Sequence, residues 1–217
     1  MLLRELGELT GHLIEIGIVD AQNYSTIQQL SGNTWTVSQA GTQLNLALKK
    51  RPYEEIYLEL LSGSSFTLLL LDGALMQFSY EGSGEEVVRH RLAYLPSPTL
   101  LPYQNDPELY LREFHFVDIV GHQVVPVPVR FDFDAREDVA RDLVHPVSHL
   151  TLGQYQHCRV PVSRPASPRE FAEFIVHSFY STPEMPRLNL KPHVLGLRPT
   201  ITANELKTLH FSIPGAK

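Results

Sequence analysis

Between Val129 and Val162 the chain reads VRFDFDAREDVARDLVHPVSHLTLGQYQHCRVPV, which gathers Arg130, Asp132, Asp134, His145, His149, His157 and Arg159 into one short span. An imidazole transfers protons near neutral pH, a carboxylate fixes its tautomer, and a guanidinium holds phosphate oxygens through paired N–H groups. Cleavage of a phosphodiester without a metal needs those parts. His149 is read as general acid or base with His145 as its counterpart, and Asp132 as the group that orients an imidazole. Arg130 binds phosphate together with Arg159, and His157 and Thr151 complete the substrate-binding set.

For these groups to meet, the elements carrying them must be strands. Side chains alternate between the two faces of a strand, so Arg130, Asp132 and Asp134 share one face while Val129, Phe131 and Phe133 take the other. In HLTLG the same alternation separates His149 and Thr151 from Leu150 and Leu152. If the two strands are neighbours, His149 lies opposite or diagonal to Arg130 and Asp132, within side-chain reach. The bland alternative is a solvated strand face, which is common in antiparallel sheets. A metal alternative also exists, because the histidines of HPVSH stand four apart and Asp132, Asp134 and His157 complete a nitrogen and oxygen shell. Pro146 opposes the helix that makes such spacing productive, so no metal is expected. No Gly-rich phosphate loop, nucleophile elbow or dinucleotide fingerprint is present, so no other cofactor is expected either.

The remaining sequence must supply the scaffold. With 217 residues, 43% hydrophobic and 19% charged, the chain can bury one core without disulfide or metal staples. A net charge of -6 repels nucleic acid as a whole, so any such contact must come from a local basic patch. A single cysteine, Cys158, excludes a redox pair and a zinc-thiolate cage and suits a reducing cytosol. The start, MLLRELGELTGHLIEIGIVD, is broken by charges and reads as neither signal peptide nor membrane span. A cytoplasmic chain with no membrane partner is expected.

Leu2, Leu6, Leu9, Leu13 and Ile16, followed by Ile27 and Leu30, stand at mixed three and four spacings, which predicts one or two amphipathic helices over 1–31, broken near Gly17 or Asp20. That segment is set apart from a single domain over 32–217. PYEEIYLELLSG predicts a second helix, opened by Pro52 and closed by Gly63. FTLLLL, ALMQFSYEG and EEVVRHRLAYLP, separated by Asp-Gly and Ser-Gly turns, predict an antiparallel meander, with RHRLAYLP either touching a phosphate backbone or setting Arg89 and Arg91 on a solvent-facing strand edge. Further strands are predicted at YLREFHFVDIV, QVVPVPVRFDFD, HLTLGQ and HCRVPV, the second at a sheet edge until about Val129 because Pro126 and Pro128 lack ladder donors, with an extended wrap in the tail and a last strand at LHFSIP. SPREFAEFIVHSFY has Ser167 as N-cap, Pro168 at the first helical position and Glu170 completing a capping box. The expected fold is α+β: a largely antiparallel sheet covered by helices, with an N-terminal helical segment.

RFDFD followed by HPVSHLTLGQYQHCRVPVSRPASPREFAEFIVHSFY, with DGALMQFSYEG and HRLAYLPSP upstream, resembles a bacterial family catalogued as domain of unknown function 2290, over roughly 65 to 212. The Arg-x-Asp strand and HPxxH segment are also similar to small bacterial toxin families of the toxin–antitoxin and phage-defence type. Those place R-x-D-N before a denser PHHxH string, whereas here Asp134 is off the asparagine spacing and the histidines are fewer. The similarity implies Arg130, Asp132, His145 and His149 as a shared constellation. The expectation is a toxin-like or defence-associated effector that acts on RNA as a metal-independent nuclease. The rival expectation is a non-catalytic sensor or adaptor of a defence complex, docking a protein partner through the N-terminal helix.

Overall fold

The computed structural model describes residues 1–39, 51–99, 127–155, 157–180 and 196–214. The strand expected at YLREFHFVDIV and most of the expected tail wrap lie outside them. Helix α1 (Leu2–Glu15) is followed by strands β1 (Val19–Gln22), β2 (Ser25–Gln29) and β3 (Thr34–Gln39), then helix α2 (Tyr53–Ser62). The meander β4 (Leu68–Leu70), β5 (Leu75–Ser83) and β6 (Glu86–Leu95) precedes β7 (Val129–Asp134), β8 (Ser148–Leu152) and β9 (Val160–Pro161). Helix α3 (Pro168–Phe179) and a short 3-10 turn at Glu205–Lys207 complete the described elements. They are α+β, built on a nine-stranded sheet in which every pairing is antiparallel.

The sheet runs β1-β4-β5-β6-β7-β8-β9, and β3 joins β5 beside β4, carrying β2 with it. Both meander turns follow their signals. Gly84 adopts φ +60° at the first position of the two-residue loop joining β5 to β6, a conformation that favours glycine. Gly73 turns at φ +83° after Asp72, whose Oδ1 accepts the Ala74 N–H at 3.0 Å.

One face of the sheet carries the principal core. Phe78 and Tyr80 of β5, Leu92 and Tyr94 of β6, Val129 and Phe131 of β7 and Leu150 of β8 pack against Leu6, Leu9 and Leu13 of α1 and Phe171, Ala172 and Ile175 of α3. Each fully buried leucine contributes roughly 1.5–3 kcal/mol, so this face supplies the main driving force for folding. The capping box forms as its residues require: Ser167 Oγ accepts the Glu170 N–H at 3.2 Å, and Glu170 accepts the Ser167 N–H at 2.9 Å. Across the same contact Glu5 of α1 accepts the Arg169 N–H at 3.2 Å, tying the two helices together. On the opposite face α2 covers one end only, packing Ile56, Tyr57 and Leu60 on Leu75, Ala93 and Leu95.

Three expectations are corrected. The helix of residues 1–31 breaks at Gly17, φ +77°, where a break was expected, but no second helix follows it: the chain then runs as β1 and β2. Ile27 and Leu30 therefore do not extend the helical stripe; they are about half exposed at and beside strand β2. Second, β6 is not an edge, since it pairs with β5 on one side and β7 on the other. Third, LHFSIP forms no full strand: Phe211 makes a single parallel bridge to Val162 and sets its ring edge-on to Phe131 and Phe174.

Gly82 faces Trp35 across the β3–β5 pair, and a Cβ there would stand 2.0 Å from the indole Cζ2. Gly82→Ala should therefore displace the ring, break its 2.8 Å bond to the Gly84 carbonyl and cost about 1–3 kcal/mol. Urea unfolding followed by the emission of Trp35, the only tryptophan, measures this. An unchanged midpoint with native emission would show that the ring moves aside freely.

Candidate functional site

Beyond the end that α2 packs against, this face of the sheet is polar, and the strand registers arrange it in rows. Asp132 pairs with Arg91 on β6 and with His149 on β8, so Arg91, Asp132 and His149 stand side by side across three strands. One step of the pleat away, Arg130 pairs with Ala93 and Thr151; one step the other way, Asp134 pairs with Arg89. The conditional expectation that His149 falls within reach of Asp132 holds because β7 and β8 are hydrogen-bonded neighbours.

Asp132 is the centre of the arrangement. Arg91 Nε donates to its Oδ1 at 3.0 Å and Arg130 Nε to its Oδ2 at 2.5 Å, while His149 Nε2 lies 3.7 Å from Oδ2. The carboxylate is only 12% exposed, against 25% for the Arg91 side chain, 20% for Arg130 and 5% for His149. Burial pushes the carboxyl pKa up, but the charges of Arg130, Arg91 and His149 outweigh it and hold the group at about 2. Asp132 is therefore ionised at neutral pH.

The imidazoles are fixed by backbone carbonyls. His149 Nδ1 donates to the Pro146 carbonyl at 2.9 Å, and His145 Nδ1 donates to the Val139 carbonyl at 2.9 Å. A carbonyl can only accept, so each neutral ring carries its proton on Nδ1 and presents Nε2 as a lone pair. Burial pushes His149 down to about 4, against the opposing pull of Asp132. The four-residue spacing of HPVSH works here without a helix: after a turn with Leu143 at φ +63°, the two rings stand at a centroid distance of 5.0 Å.

The sequence-derived set is mostly assembled. Arg130, Asp132, His145 and His149 converge, Thr151 stands opposite Arg130, and Arg159 is close enough for its charge to act on His149. His157 is exposed, and among the described residues nothing ties its ring to the others. Asp134 belongs to a separate pairing, with Arg136 at 2.6 Å and Arg89 at 3.7 Å. Among the described residues no group of three His, Cys, Asp or Glu is placed to hold a metal ion. Arg91 was the omission, and its signal was present: the period-two alternation of RHRLAYL puts Arg89, Arg91 and Ala93 on one face. On the core face His90 is also buried and pushed down to about 4 by burial, with Nε2 accepting the Ala166 N–H at 3.1 Å ahead of α3.

Comparison with known proteins adds one match: residues 18–213 fit the family described as "Uncharacterized conserved protein (DUF2290)", and the chain belongs to it. No curated protein and no solved structure matches. Among the described residues no helix is long and apolar enough to cross a membrane.

Two outcomes are expected from this geometry. His149 and His90 stay neutral in the folded chain down to about pH 4, whereas the unfolded chain takes up both protons near 6.5. The unfolded state thus binds more protons across that window, and stability falls as pH drops through it, by up to roughly 3 kcal/mol per imidazole. His149→Asn should remove about half of the slope in urea midpoints between pH 7 and 4; an unchanged slope would mean that His149 is not held neutral. Asp132→Ala leaves Arg91 and Arg130 facing each other without their shared carboxylate and should cost about 3–5 kcal/mol in the same assay at pH 7.

Proposed function

We propose that this member of the DUF2290 family is a toxin-like, defence-associated effector that cleaves RNA without a metal, using His149 and His145 as its proton-transfer pair. The observation that carries this is the pairing of two Nδ1-anchored imidazoles, 5.0 Å apart, beside an arginine-framed carboxylate. His149, held neutral, is the base: its Nε2 takes the proton of a ribose 2′-hydroxyl as that oxygen attacks phosphorus. His145, the less buried ring, enters as the imidazolium, with a second proton on Nε2, and gives that proton to the departing 5′-oxygen as the P–O5′ bond breaks. A 2′,3′-cyclic phosphate and a free 5′-hydroxyl result. Arg130 steadies the charge that grows on the phosphoryl oxygens, and Asp132 keeps Arg130 in place. The toxin-like assignment draws on the Arg130-x-Asp132 and HPxxH resemblance.

The second reading, a non-catalytic sensor or adaptor, draws on a different observation from the one that first suggested it. The apolar stripe of α1 is buried in the core and offers no docking face. Strand β2 is the exposed element: it pairs with β3 alone among the described strands, and residues 21–39 contain no charge to guard that edge.

Cleavage of end-labelled RNA by the purified chain, with and without EDTA, separates the two. EDTA-resistant cutting that leaves cyclic phosphate ends is expected, with His149→Ala slower by about 10²–10⁴-fold. Full activity in a folded His149→Ala protein would end the catalytic proposal. Absence of any cutting by the wild type would favour the adaptor.

A further inference from the structure

The row next to Asp132 has hydrogen-bonding capacity that the protein does not use. Arg130 donates to Asp132 through Nε, and among the described residues nothing accepts from its two terminal nitrogens. Thr151 stands directly across from Arg130 on β8, is 7% exposed, and its Oγ1 is buried with no hydrogen-bond partner. On the other side of Thr151, strand β9 begins at Val160, paired with Leu150, and Arg159 directly precedes it, close enough for its charge to act on His149. Paired residues share a face, and their Cβ atoms lie about 4.5–5.5 Å apart. Arg159 is half-buried, and among the described residues its guanidinium has no carboxylate or carbonyl partner.

Each of these is unfavourable in an empty site. A buried hydroxyl without a partner loses its hydration for nothing, and an unpaired, partly buried guanidinium loses solvation without Coulombic return. A tetrahedral oxyanion answers all three at once, since every unused group here is a donor. It would take N–H bonds from Arg130 and Arg159 and an O–H bond from Thr151. The sign of the field also fits: Arg91 and Arg130 share one carboxylate, and Arg159 adds a third positive charge, in a chain of net charge -6.

We propose that Arg130, Thr151 and Arg159 form an oxyanion-binding subsite that seats one phosphate group beside the Asp132–His149 pair. The chemistry is that of a phosphodiester or a phosphate monoester, and the subsite rests on the preceding proposal only for the claim that this phosphate belongs to the RNA being cut. A chain approaching it must reach Thr151, which lies more than nine-tenths buried, so a flexible single strand suits the site and a stiff duplex does not.

Calorimetric titration of the whole chain at pH 7 and fixed ionic strength tests this, with inorganic phosphate and a 2′-O-methyl oligoribonucleotide without terminal phosphates as separate probes. Wild type should bind at least one probe, and Arg159→Gln should weaken it tenfold or more. Thr151→Val keeps the shape and removes the hydroxyl. It should weaken binding severalfold while raising the melting temperature of the ligand-free protein, a combination that a purely structural threonine does not give. Binding of the oligonucleotide identifies the occupant as an internal phosphodiester; binding of inorganic phosphate alone identifies a monoester. Lack of binding by either probe, or binding that both variants retain in full, overturns the subsite. Cleavage of RNA is scored separately. Phosphate binding without cleavage keeps the subsite and removes the nuclease, whereas cleavage indifferent to Thr151 and Arg159 keeps the nuclease and removes the subsite.

Discussion

Everything on the polar face depends on one carboxylate serving two guanidiniums. Asp132 gives one oxygen to Arg91 from β6 and the other to Arg130 from its own strand, with His149 from β8 at its flank. In water such pairs are worth little, but here all partners are at least three-quarters buried, and an unpaired charge would cost several kcal/mol. The network therefore constrains the fold. A one-residue slip of β7 against either neighbour would turn Arg130 and Asp132 into the core and Phe131 out of it. Charge pairing on one face and aromatic packing on the other thus specify the same register.

The two faces differ in what they contribute. On the core face, Phe131 meets Phe171, Phe174 and Phe211 edge-on at centroid distances of 5.4–5.8 Å, which anchors β7 from below. Above it, the charged rows add little net stability and set positions instead. The site needs this division, because side chains held for chemistry must sit on a backbone whose own placement is fixed elsewhere.

Much of this was legible in the sequence, and the rest was hidden for identifiable reasons. Period two in RFDFD and HLTLG assigned every side chain of β7 and β8 to its face, since alternation is a property of each strand alone. The capping box of α3 was equally local, and it formed as read. Strand adjacency is not local. Arg91 lies 41 residues from Asp132, and only the order β6-β7-β8 brings it to the carboxylate, so an isolated basic strand looked like an edge. Residues 19–29 failed for the opposite reason: the break at Gly17 was legible, but the spacing of Ile27 and Leu30 suggested a second helix where strand β2 forms. The turn joining His145 to His149 was half legible. Pro146 argued against a helix, but nothing in the local pattern announced that Leu143 would adopt a left-handed conformation in the tight turn from Arg141 to His145 that leads into this segment.

Burial also separates the roles of the two imidazoles. Identical rings with identical Nδ1 anchors would be interchangeable in water, and only their surroundings can assign them different parts. The strand position of His149 removes its ring from solvent and holds it neutral at pH 7, so it can enter a reaction only as an acceptor. His145, on the turn, keeps more contact with water. The asymmetry follows from topology alone: one histidine falls inside the ladder beside Asp132, and the other falls four residues before it, outside the sheet. Asp132 pulls His149 the other way, towards the charged form, but too weakly to overcome burial. The burial that comes with its place in the sheet thus leaves His149 in the form a base requires.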